Sequence, residues 1–442
     1  MGSFMSGLDS SISNTVLPVI AGSLHADVAD AQWVVSIYLL VLSGLLLSFG
    51  RLGDLNGYRR TYLLGFGLFV VSSAVCSVAS SVEMLIAARG VQAVGAALLA
   101  ANSPAILTTS FPDSRRGQVL GLQVTAVYLG LALGPLLGGW LTSTFSWNAV
   151  FLVNVPVGIV TFLLAARVLP HDAPRQASAV LSKFDVPGAV TFTTGLVLLI
   201  FGLNQAHIWG WTSPALALCM GLAVLALVGF VLIERKSGSP MLDLHLFAAR
   251  RFSAPVASAT LNYMSVFAMM FLLPFYLIQA RGLSPAAAGL VLTAQPVVMA
   301  ATASFSGALS DRIGARLPAT LGMVLIAVGL AVRSRLGLDT PLPAIAGALL
   351  VIGLGVGLFS SPNTSAALGA TPRQQRGVAS AVLATARYLG MVIGVGIAGA
   401  AFTTVLAQAG EVSSPETVIR AANAGLLAAA GLASLGVVTA LL

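Results

Sequence analysis

Asp9 is the residue of this chain with the most chemistry to offer, because it sits within an otherwise apolar opening stretch. A charge at the centre of a bilayer costs roughly 2.5–3.5 kcal/mol on insertion scales, so an acid there needs either a task or a way out. About 12 Å along a helix that starts at residue 1, it can face a wet cavity, where desolvation favours the neutral form and a proton is taken up and released. The other reading is an acid near a helix end that reaches back to water. Arg89 lies inside a later apolar stretch, where a permanent cation faces the interior and binds carbonyls or an acid. Arg387, in a third such stretch, either bridges helices, the preferred reading, or contacts a bound molecule.

Other chemistry has little support. Cys76 and Cys219 fall in apolar runs and read as packing residues rather than as a disulfide or a thiolate metal site. His25, His171, His207 and His245 fall in loops without ligand spacing, so no metal is expected. Neither Lys183 nor Lys236 follows a glycine, which removes the phosphate-binding signature of an ATP-driven pump. No His, Cys or paired-carboxylate constellation shares a common depth, which argues against a membrane enzyme, and no cofactor is expected.

The elements that must position these residues are membrane helices. The chain has 442 residues, 57% hydrophobic and 8% charged, with a mean hydropathy of +0.95, against about 25% charged in a soluble domain. Apolar runs of about 20 residues are the natural unit. They fall near 1–23, 33–50, 61–80, 84–108, 117–139 and 148–168, then 186–205 and 214–233, then 253–279, 286–309, 317–334, 342–364, 377–407 and 423–442. Ser213-Pro214 and Ser284-Pro285 each place a capping hydroxyl before a proline at a first helical position. Trp209 and Trp211 flank a glycine at a loop edge, where amphipathic rings favour the interface. With even-numbered loops inside, sixteen loop Lys and Arg lie inside and four outside (Arg281, Arg333, Arg335, Arg420), which puts both termini in the cytoplasm. That bias accounts for the net charge of +8 without nucleic acid. The start shows no cleavable signal, and a leader trimmed from it is one reading of the opening residues.

The chain repeats itself. Gly50-Arg-Leu-Gly-Asp-Leu-Asn-Gly-Tyr-Arg-Arg60 is echoed by Gly307-Ala-Leu-Ser-Asp-Arg-Ile-Gly-Ala-Arg316, and Tyr128-Leu129-Gly130 follows Gly117 as Tyr388-Leu389-Gly390 follows Gly377. Parallel repeats of this size suggest two helical bundles facing across a cavity. The expected fold is all-α and polytopic: a bundle over 1–168, a linker with two extra spans over 169–252, packed outside or between the bundles, and a second bundle over 253–442.

Leu8-Asp-Ser-Ser-Ile-Ser-Asn-Thr-Val-Leu-Pro18 resembles the first-span signature of the fourteen-span drug/proton antiporter branch of the major facilitator superfamily. Gly130-Leu-Ala-Leu-Gly-Pro-Leu-Leu-Gly-Gly139 resembles its antiporter motif, matched at Gly130, Gly134, Pro135, Gly138 and Gly139. Leu85, Arg89, Gln92 and Gly95 resemble the fourth-span motif, and Trp147, Phe151, Asn154, Pro156 and Gly158 the start of the sixth. The two echoed loops resemble the cytoplasmic gate, with Gly50, Asp54, Gly57 and Arg59 answered by Asp311, Arg312 and Gly314. Departures occur at Ser11, Leu55, Tyr58, Ala93 and Asn148, and Val395 stands where Pro135 does in the first half.

The resemblance implies the major facilitator fold and a proton-coupled multidrug exporter of amphipathic small molecules, cationic or neutral, in the bacterial inner (plasma) membrane. Protons and the bilayer are its partners, and ATP and nucleic acid are not. Asp9 and Arg89 would carry proton coupling. Asp54 and Asp311 would accept hydrogen bonds from a helix N-terminus or pair with arginine at the gate. Pro135 and the glycines around it would form a pivot or a close-packed seam. Asn14, Asn262, Tyr263, Met264, Phe267 and Arg387 are candidates for the substrate cavity. Met269, Met270 and Phe271 continue that soft stripe, which a lipid-facing or packed face would also explain. A narrow exporter of one natural product or lipid, and a non-transporting receptor on the same fold, stay open.

Overall fold

The computed structural model describes residues 2–112, 116–169, 185–237, 244–335, 337–371, 376–409 and 414–442. Every regular element among them is helical: α1 (Gly2–Ser23), α2 (Val28–Asn56), α3 (Tyr58–Ser77), α4 (Val82–Ser110), α5 (Arg116–Thr144), α6 (Ala149–Leu152), α7 (Asn154–Val168), α8 (Val186–Trp209), α9 (Pro214–Lys236), α10 (Arg250–Pro274), α11 (Pro285–Ile313), α12 (Arg316–Arg333), α13 (Leu342–Gly369), α14 (Arg376–Gln408) and α15 (Pro415–Leu441). Among the described residues thirteen helices are long and apolar enough to cross a membrane, with α6 and α7 counted as one. The protein is a multi-pass membrane protein. Much of the two polar connections expected over 169–185 and 234–252, with Arg175 and Lys183, lies outside the described residues.

Local chemistry sets the helix ends. Ser213, Ser284 and Ser414 each accept the backbone N–H three residues on, with proline at the next position. Such a hydroxyl satisfies one of the four donors that a helix start leaves open. The two echoed loops end their helices alike: Gly57 closes α2 at φ 99° and Gly314 closes α11 at φ 85°, a region that side chains with a Cβ avoid. The run expected as one span over 148–168 is divided at Val153 into α6 and α7. Pro156 has no N–H to return to the carbonyl of Leu152, so the helix is interrupted there. At the end of α10, Pro274 is followed by a π-helical turn, Phe275–Ala280.

Helices of Ala, Gly and Ser have little side chain with which to interlock, so close backbone approach does the packing. Gly130, Gly134 and Gly138 of α5 press on Phe4, Ser11 and Ile12 of α1. Gly390 and Gly394 of α14 press in the same way on Thr260 and Met264 of α10. α8 lies against both α2 and α14: Asn204 Nδ2 donates to Ala29 O at 3.3 Å, Trp33 and Phe201 rings are 6.3 Å apart, and Gly396 meets Ile200 and Leu203. α9 packs on α8 and turns Leu218, Leu225 and Leu232 outward, as suits a surface in lipid.

Candidate functional site

The charge that seemed free to face water does not. Asp9 is fully buried, and three side chains from two other helices hold it. Arg89 Nη1 on α4 donates to Asp9 Oδ2 at 2.6 Å, while Gln92 Nε2 and Asn154 Nδ2 donate to Asp9 Oδ1 at 3.1 and 2.8 Å. Arg89 Nη1 also donates to Gln92 Oε1 at 2.6 Å, and Arg89 Nε donates to Val34 O at 3.2 Å. Gln92 Nε2 reaches Ser73 Oγ on α3 at 2.7 Å. The guanidinium carbon lies 4.1 Å from the centroid of the Tyr38 ring and 5.7 Å from that of Phe151, within cation–π range. The carboxylate and the guanidinium thus tie together α1, α2, α4 and α7, and Gln92 adds α3.

This corrects the expectation that Asp9 faces the cavity. Residues 9 and 14 are about 140° apart around a helix at 100° per residue, so Asp9 and Asn14 cannot share a face. Arg89, a buried cation, draws Asp9 inward to the bundle, and Asn14 with Thr15 is left to line the cavity. Gln92 and Asn154 belong to motifs already singled out. Tyr38 carries no signal in the sequence beyond a phenol in an apolar run.

The cavity lies between α1, α5, α10, α11 and α13. Of the candidates, Asn14, Asn262, Tyr263 and Phe267 line it, joined by Tyr128, Pro135 and Gln295, and its volume is about 50 Å³. Both side-chain polar atoms of Asn14 and the Oδ1 of Asn262 are buried without a hydrogen-bond partner. Met264 does not line it. Residues 262, 263, 266, 267, 269, 270 and 273 form one helical stripe toward the cavity, whereas Met264 falls on the side that Gly390 and Gly394 cover. Arg387 is not in the lining but stands beside it, half-buried, facing Tyr263, Tyr128 and Tyr388.

Two seams join helices of the first half to helices of the second. Where α5 stops and α11 starts, a Cβ on Gly139 would strike Pro285 O and one on Gly289 would strike Pro135 O, and Ala286 N donates to Ser143 Oγ at 3.1 Å. Where α2 starts and α14 stops, Gln32 Nε2 donates to Val395 O at 3.3 Å and Gly399 is covered by Gln32. At the other end lie the gate loops, where Gly53 is packed against Asn102 and Gly307 against Ser361. Gly50 has open space around it, and Arg59 Nη2 donates to Ala166 O at 2.6 Å on α7. The Asp54 side chain lies outside the described residues. Asp311 and Arg312 are exposed, and Asp311 has no hydrogen bond or ion pair among the described residues, contrary to the expected cap or arginine partner. The chain reverses at Gly314, and α12 starts at Arg316 behind Ala315 with no side-chain cap, the Asp311 carboxylate included.

The profile of the major facilitator superfamily matches residues 1–234 and 255–442, which is nearly the whole chain. The chain belongs to the major facilitator superfamily. It is 36% identical over 397 residues to the riboflavin transporter RibZ of Clostridioides difficile, covering 89% of this chain and 84% of that one. It is 31% identical over 400 residues to the multidrug resistance protein Stp of Mycobacterium tuberculosis, covering 90% and 74%. A bacterial homologue of the human lysosomal transporter Spinster, solved inward-facing and unoccupied, superposes with a TM-score of 0.70 over 100% of this chain and 94% of that one, at 13% identity, a likeness of fold. A major facilitator chain is a transporter and not an enzyme.

Proposed function

We propose that the protein is a proton-coupled exporter of amphipathic small molecules that works by alternating access, on the fourteen-span drug/proton antiporter plan. α1 is the fourteenth span, its polar side chains turned inward to the Asp9 network and the cavity. Residues 1–168 and 253–442 form two six-span bundles, and α8 and α9 are the linker pair. The arginine bias sets both termini in the cytoplasm of a bacterial inner (plasma) membrane, so the two seams face outward and the gate loops face the cytoplasm. The energy comes from the proton gradient, since moving one charge through 100 mV is worth about 2.3 kcal/mol. ATP, nucleic acid and cofactors have no part.

The observation that carries this reading is the buried pair of Asp9 and Arg89 beside a cavity on the opposite face of the same helix. A proton arriving on Asp9 turns an acceptor oxygen into a donor and weakens its hold on Arg89, Gln92 and Asn154 together. α1 is then freed to shift against α5, and Asn14 and Thr15 move with it. Proton binding and cavity shape are thereby linked through one rigid element. The names of the relatives, a riboflavin transporter and a multidrug resistance protein, support export of small molecules and leave the range of compounds to be measured.

Substrate-dependent proton flux tests the reading. In proteoliposomes with an imposed pH gradient, the unaltered protein should move dye uphill while protons run down, and Asp9→Asn should move none against a gradient. Full uphill export by Asp9→Asn would remove the carrier from the mechanism.

A further inference from the structure

Among the described residues, no side chain lining the cavity carries a formal charge. The cation next to it is Arg387 on α14, half-buried, and the groups that face it are the phenols of Tyr263, Tyr128 and Tyr388. No carboxylate stands among them. Asp9, whose charge could offset it, is already held by Arg89 on the far face of α1. Arginine keeps its charge throughout the physiological range, so the tyrosine end of the cavity carries a standing positive potential. Tyr128 and Tyr263 belong to the lining and offer flat aromatic faces there. At the asparagine wall, the amide of Asn14 and the Oδ1 of Asn262 are buried without partners, a costly state that a guest's hydroxyl, amide or carbonyl would relieve.

We propose that this cavity selects planar aromatic anions, a carboxylate or phenolate on a fused-ring frame, and that Arg387 is the residue that sets the sign of the charge accepted. The anionic group meets Arg387, the rings lie along Tyr128 and Tyr263, and neutral polar substituents meet Asn14 and Asn262. This rests on the exporter reading and deepens it. It reverses the expectation of cationic cargo, because a lipophilic cation entering here would find one like charge and no acid to balance it.

Fluorescein and rhodamine 123 share a xanthene frame and differ in charge at neutral pH, anionic against cationic. Equilibrium binding of each to the purified full chain in nanodiscs of zwitterionic lipid, with empty nanodiscs as the blank, reads the preference with no gradient imposed. The unaltered protein should bind fluorescein at least about tenfold more tightly, the worth of one charge-assisted hydrogen bond. Arg387→Gln should abolish that preference, and Arg387→Lys should restore most of it. Absent fluorescein binding, or equal or tighter binding of rhodamine 123 to the unaltered protein, overturns the proposal without any variant having to fold. So does Arg387→Gln weakening both dyes alike, the mark of a bridging role, or leaving the preference intact. A failed charge preference with coupled efflux intact sinks only the selection rule, whereas lost coupling with the preference intact sinks the exporter reading.

Discussion

Asp9→Asn changes one atom and upsets a whole network. The carboxylate accepts from Arg89 at 2.6 Å and from Asn154 and Gln92 at 2.8 and 3.1 Å, and an amide in its place brings a donor face to face with at least one of those donors. Arg89 then remains in the interior as an uncompensated cation. With charge centres about 4 Å apart and an effective dielectric of about 20, the lost attraction is about 4 kcal/mol, which agrees with the 3–5 kcal/mol typical of breaking one side of a buried pair. Val34 O, Gln92 Oε1 and the Tyr38 face still hold the guanidinium, which places the expected loss at about 3 kcal/mol. Thus Asp9→Asn should be both uncoupled and less stable, and stability cannot be assumed unchanged when its transport is read. Asp9→Asn with Arg89→Gln removes both charges and should return to within about 1 kcal/mol of the unaltered protein while staying uncoupled. Apparent melting in detergent and gradient-driven dye efflux from proteoliposomes measure the two effects separately. A double variant that melts as low as the single one refutes the account of the pair, and one that exports uphill at the normal rate refutes the account of coupling.

Other perturbations have expected outcomes of their own. Tyr38→Phe should leave melting and transport nearly unchanged, whereas Tyr38→Ala should cost about 3–5 kcal/mol, because the buried ring, packed in the core and lying over Arg89, and not the hydroxyl makes the contact; equal losses in both would contradict this. Gly139→Val forces a side chain against Pro285 O and should prop the α5–α11 seam open, raising labelling of Thr15→Cys by an impermeant maleimide added outside. Gln32→Ala removes one hydrogen bond from the α2–α14 seam, worth about 1 kcal/mol, and should raise that labelling far less. Ser284→Ala deletes the cap of α11 and should lower stability by about 0.5–2 kcal/mol, with binding of fluorescein unaltered.

Charge made much of the site legible, and helix phase hid the rest. Asp9 and Arg89 stand out in the chain because an ionised group in an apolar run is costly, but 80 residues separate them and nothing local says that each is the other's partner. The cavity position of Asn14 follows from its angle to Asp9 once one of them is placed. Met264 was drawn to the cavity by its chemistry alone, and the phase of α10 turns it to α14 instead. Caps and glycine ends were legible because they depend on two or three neighbouring residues, as at Ser213-Pro214 and Ser284-Pro285. The break at Val153 was written in Pro156, yet the apolar composition around it reads as one uninterrupted span. Tyr38 and Gln295 were hidden, since only folding brings them to the cation and the cavity.

α8 touches both α2 and α14 along the seam where Gln32 meets Val395, and among the described residues neither α8 nor α9 packs on α5 or α11 at the seam of Gly139 and Gly289. The molecule is bound on one edge like a book: α8 is the spine, and the α5–α11 margin is the fore-edge where the leaves part. On the alternating-access reading proposed above, the widest excursion is expected at that margin, where a hydrophobic guest dissolved in the surrounding lipid would find its side door.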